Sequence, residues 1–90
     1  MRQVKVEIDG KTYIGKEPTG YDVLKYRNKY FTPGGELKDP ELEPDATVEL
    51  VAMVYGLTVE EAKALPLSHL VKLAQHATEV IAIQPEFEKK

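Results

Sequence analysis

His69 and His76 are the two side chains in this chain whose type invites a chemical role. Histidine can ligate a metal or move a proton near neutral pH. They lie seven residues apart, which sets them on one helical face with Cα atoms roughly 10 Å apart. A single metal ion draws helical ligands from positions about four apart, so the pair reads as two surface or rim histidines. Glu60 and Glu61, with His69, are the residue types of an acid–base set. Glu61 is already explained by helix capping, and Glu60 by the favourable field at a helix start. Asp9-Gly10 and Gly34-Gly35 are turn pairs without a phosphate-cradling spacing. Lys25, Arg27 and Lys29 interleave with Tyr26, Tyr30 and Phe31, a pattern that can stack on single-stranded nucleic acid. The plainer reading is an amphipathic helix whose lysines reach past apolar surface. The same rings, with Tyr21, suit a protein interface as well as a core. They form an arc wider than one small hairpin can cover, and both readings stay open.

Composition narrows the field. The chain has 90 residues, 12 basic and 15 acidic, for a formal charge of −3. A general nucleic-acid binder would carry a basic stripe instead. Ninety residues make one domain that buries roughly 60–65% of its unfolded surface, which leaves no room for a deep, walled active site. Cysteine is absent, which removes disulfides and thiolate chemistry and suits a reducing compartment. No cofactor or metal is called for. No apolar run approaches about 18 residues, and Met1 to Val4 lack the pattern of a signal peptide. The expectation is a non-enzymatic protein of the cytoplasm with no membrane segment.

The elements follow from local chemistry. Val4, Val6 and Ile8 alternate with Lys5 and Glu7, and Asp9-Gly10 is a strong two-residue hairpin turn. That turn sets Ile8 opposite Lys11 and Val6 opposite Tyr13, with Val4, Val6, Ile8 and Tyr13 on the buried face. Pro18 and the N-cap Thr19 open a helix over about 20–31. Thr32-Pro33-Gly34-Gly35 stops it. Residues 32–44 hold three prolines, two glycines and four acidic residues, and read as a mobile loop. A second helix runs from Pro44-Asp45 to Gly56, apolar almost all round. Thr58-x-x-Glu61 is a capping box for a short helix over 59–64. Pro66 ends that helix and leads into the last one, over about 67–81. The reading is α+β: a short N-terminal antiparallel hairpin on a bundle of three to four helices. One domain spans 1–83, and 84–90 form a flexible tail.

In this order the clusters Glu17-Pro18-Thr19-Gly20-Tyr21-Asp22-Val23, Tyr55-Gly56-Leu57-Thr58-Val59-Glu60-Glu61 and Leu65-Pro66-Leu67-Ser68-His69-Leu70 carry a resemblance. The chain resembles, from about Val4 to Val80, the tail assembly chaperones of contractile-tailed bacteriophages. The acidic Pro/Gly stretch at 32–44 departs from that pattern. The resemblance implies a non-enzymatic chaperone in the host cytoplasm. It would bind the tape measure protein and help recruit tail tube subunits, with neither nucleic acid nor membrane as partner and with self-association open to it. It also implies that a longer product can arise by frameshifting near the C-terminus. No binding residue transfers by motif, so the partner-binding candidates come from the aromatic arc: Tyr21, Tyr26, Tyr30 and Phe31. The competing class is a small regulatory or accessory protein that binds nucleic acid or another protein.

Overall fold

The structure, a computed structural model, describes residues 3–81. Strands β1 (Gln3–Ile8) and β2 (Lys11–Lys16) pair antiparallel, with Ile8 opposite Lys11, Val6 opposite Tyr13 and Val4 opposite Gly15. Asp9 and Gly10 both take positive φ, 50° and 81°. That is the geometry a two-residue turn needs to match the strand twist. One face of the hairpin buries Val6, Ile8 and Tyr13, with Val4 half-buried beside them. Gly15 lies on that face too. A Cβ built there would sit 2.8 Å from Tyr55 Cε1 and from Val54 Cγ1. The missing side chain is what lets β2 rest directly on the second helix.

Four helices follow: α1 (Gly20–Tyr30), α2 (Glu43–Tyr55), α3 (Val59–Lys63) and α4 (Leu67–Ile81). Each start uses a different local device. Thr19 Oγ1 accepts the Asp22 N–H at 3.2 Å to open α1. Pro44 occupies the first turn of α2, where its missing N–H costs nothing. Thr58 and Glu61 satisfy each other's backbone N–H groups at 3.0 and 2.8 Å. Gly56 ends α2 in the left-handed region (φ 69°), and the Leu57 N–H closes back on the Ala52 carbonyl at 3.1 Å. Only glycine takes that conformation without a Cβ penalty.

α2 is the centre of the molecule. It buries Ala46, Val48, Leu50, Val51, Ala52, Val54 and Tyr55. It is covered by β2, α3 and α4, while α1 packs along another face. β1 lies on α4. The lone hairpin, marginal by itself, therefore lies on two helices. Among the described residues, Leu73 and Val51 are the largest fully buried side chains. Each contributes about 1.5–3 kcal/mol by leaving water.

The stretch 32–44, expected as a loop, is irregular over 32–39 and helical from Pro40 on. Phe31 bridges to Leu37, Lys38 N–H donates to the Tyr30 carbonyl at 2.9 Å, and Gly35 N–H closes on Thr32 at 2.8 Å. Pro40–Leu42 then form a 3-10 turn capped by Asp39, and α2 begins at Glu43. The glycines and prolines shape two tight turns here instead of an open loop. The expectations for residues 82–83, for a tail over 84–90 and for a frameshift site lie outside the described residues.

Candidate functional site

The four aromatic candidates do not share a docking face. Val23, Tyr26 and Tyr30 form the inner stripe of α1 and face α2. Tyr26 and Tyr30 are 7% and 3% exposed. The Tyr26 hydroxyl donates to the Ala46 carbonyl at 2.9 Å, and the Tyr30 hydroxyl donates to the Glu49 carboxylate. Phe31, half-buried, stacks at 5.8 Å from Tyr26. Tyr21 alone of the four is open to solvent, 70% exposed, and Leu24 one turn on is 64% exposed. The arc looked too wide because the hairpin was taken as its cover, whereas α2 covers half of it. Tyr26 and Tyr30 are thus seam residues between α1 and α2.

The seam is electrostatically organised. Burial pushes the Tyr26 hydroxyl pKa up to about 12, with Tyr30 and Glu49 adding to the shift. Lys29 Nζ donates to Glu49 Oε2 at 2.7 Å. Partial burial raises the Glu49 pKa, but the bonds from Lys29 and Tyr30 outweigh it and hold the carboxyl below its ordinary value. Lys29 and Tyr30 are both raised in turn.

The histidine expected at a rim does more than sit there. His69 Nε2 lies 3.2 Å from Asp9 Oδ2, and Nδ1 lies 3.0 Å from the Tyr13 hydroxyl. A neutral ring protonated on Nε2 satisfies both contacts, donating to Asp9 and accepting from Tyr13. The Tyr13 ring meets His69 and Tyr55 edge-on at 5.9 and 6.4 Å. No local pattern signals this clasp, since Asp9 and His69 are 60 residues apart. Its order resembles a proton relay, but both imidazole nitrogens are occupied in fastening the hairpin turn to α4. Glu61, the nearby carboxylate, is held by Thr58. Among the described residues, no cluster of three metal-ligating side chains exists.

Beside this clasp runs a groove. A cavity of about 660 Å³ lies between β2 and the α3–α4 elbow, lined by Tyr13, Ile14, Tyr55, Leu57, Leu65 and Pro66 among others. A second hollow of about 420 Å³ continues from Ile14 and Tyr55 towards Lys16, Pro18 and Met53. Ile14 stands 55% exposed between them. On α4, Leu67 and Val71 are exposed one turn apart. The surface thus offers apolar area and main-chain edge. No helix among the described residues is long and apolar enough to cross a membrane. No protein-family model, curated protein or solved structure matches the chain.

Proposed function

We propose that the protein is a non-enzymatic tail assembly chaperone of a contractile-tailed phage, acting in the host cytoplasm. It receives an apolar helical segment of the tape measure protein and helps bring tail tube subunits to it. The resemblance in the capping and turn clusters supports the phage assignment. The observation that carries the binding role is the pair Tyr21 and Leu24, two large apolar side chains 70% and 64% exposed on one face of α1. Residues three apart on a helix are neighbours, and such a pair suits packing against an apolar helical client. Lys25 lies 5.3 Å from the Tyr21 ring centre, within reach of a cation–π contact.

The test is co-purification with the cognate tape measure protein under conditions that keep both soluble. Capture is expected, and Tyr21→Glu with Leu24→Glu should abolish it while leaving the fold intact. Failure of the unmodified protein to capture the client would overturn the reading. Without its client, the same face is expected to be covered by self-association, visible by light scattering as a concentration-dependent mass.

A further inference from the structure

The geometry points to a second docking surface, separate from α1: the free edge of β2 takes an extended peptide as a third strand. The two-residue turn makes Ile8–Lys11, Val6–Tyr13 and Val4–Gly15 the hydrogen-bonded pairs of the hairpin. The N–H and C=O groups of Thr12 and Ile14 therefore point away from β1. The sheet has two strands, and these groups have no hydrogen-bond partner among the described residues. Natural proteins block such edges with bulges, prolines, lysines or a covering element. Here the strand has a lysine at each end, Lys11 and Lys16, but the stretch 12–15 between them is regular and holds neither proline nor charge, and the space along it is the pair of hollows already described.

The chemistry of the edge decides the occupant. Spare main-chain donors and acceptors are satisfied by another extended main chain, because a helix has already used its own. Side chains on one face of the guest would meet Tyr55, Leu57, Leu65 and Pro66, so alternate residues must be apolar. The β2 of a second copy carries Lys11 and Lys16 and no acidic residue, so it brings like charge to this edge. The outer face sets the remaining residues. Lys16 is exposed there, two residues along β2 from Ile14, and forms no ion pair among the described residues, while Lys5 and Glu7 lie a strand further away on β1, across from Ile14 and Thr12. Glu61, the carboxylate at the groove wall, is bonded to Thr58 at 2.8 Å. The guest is thus an extended segment that alternates apolar residues with acidic ones. An acid set across from Lys16 adds about two- to five-fold in affinity.

The probe is an end-blocked hexapeptide alternating valine and glutamate, titrated into the full-length protein with backbone amide exchange read by NMR. Exchange at Thr12 and Ile14 is expected to slow at least tenfold at saturation. Two N-methylated versions, one blocked at its glutamates and the other at its valines, separate strand pairing from apolar adsorption. One version must lose binding and the other keep it, because alternate N–H groups face β2. Lys16→Glu, an exposed position, should weaken the glutamate peptide and strengthen its valine–lysine counterpart. The proposal is overturned by any of four results. These are unchanged Thr12 and Ile14 exchange at millimolar peptide, perturbation centred on Tyr21 and Leu24, equal behaviour of the two N-methylated peptides, and indifference to Lys16→Glu. Slowing of the two amides with protein concentration alone would assign the edge to a second copy and overturn it equally.

Discussion

Gly15→Ala is the sharpest single perturbation of this fold. The new methyl would stand 2.8 Å from Tyr55 Cε1 and Val54 Cγ1, and 3.0 Å from Val4 Cγ1. Three side chains on two elements, α2 and β1, must give way at once. Two of them, Val54 and Tyr55, are themselves buried in α2. Overpacking of this kind costs about 1–3 kcal/mol. Against it stands the reduced freedom of the unfolded chain, which favours alanine by about 0.4–1 kcal/mol. The φ of Gly15 lies outside the left-handed region, so backbone strain adds nothing. The expected net loss is about 1–2 kcal/mol. For a chain of this size that is a fall in Tm of about 5–15 °C, with the urea m-value unchanged because the exposed surface is the same. Combined with Val54→Ala, which itself removes buried methyls, the cost should be less than the sum of the two single changes, since neighbours in contact do not add. A Gly15→Ala protein that melts at or above the parent temperature would refute the claim that β2 rests directly on α2.

Further outcomes follow from the other seams. Tyr26 and Tyr55 hold their protons up to about pH 12, because burial disfavours the phenolate, while unfolded tyrosines ionise near pH 10. The stability this provides is complete below pH 10 and is lost as pH rises from 10 to 12, with a slope of about 2.7 kcal/mol per pH unit for the two. Chemical denaturation across that window should show the fall, and Tyr26→Phe should make it shallower. Thr58→Ala removes the cap of α3 and should cost about 1 kcal/mol, whereas Thr78→Ala, on an exposed face of α4, should change urea stability by less than about 0.5 kcal/mol. Tyr21→Glu should leave the melting temperature within a few degrees of the parent, since the ring is 70% exposed. A large fall would mean that α1 packs by its outer face.

The sequence was legible wherever the deciding interaction is local. Asp9-Gly10, Thr19, Gly56 and the Thr58–Glu61 pair each act within four residues, and each sits in the structure as its chemistry requires. The α+β architecture of an N-terminal hairpin followed by four helices follows from those signals. Within 32–44, composition signalled the irregular part, 32–39, but a count of prolines and glycines hid a positional signal at its end. Asp39-Pro40 is a cap followed by a proline, which starts a helical turn. The larger gap is tertiary. Whether Tyr26 and Tyr30 face a partner or a neighbour depends on α2, twenty residues along the chain. The clasp of Asp9, His69 and Tyr13 and the groove below Ile14 arise from elements that no local rule brings together.

The α1–α2 seam also implies an order of opening. α1 buries Val23, Tyr26 and Tyr30, a thinner attachment than the one holding the hairpin and α4 to the centre. Local openings draw on the least secured units first, at a cost below that of global unfolding. In native-state exchange, the amides of α1 should therefore release before those of α2 and α4. Each release would bare two tyrosine rings and the strip of α2 beneath them. The molecule's hidden aromatic surface thus lies behind its most easily lifted helix, and salt that weakens the Lys29–Glu49 contact would ease the lifting.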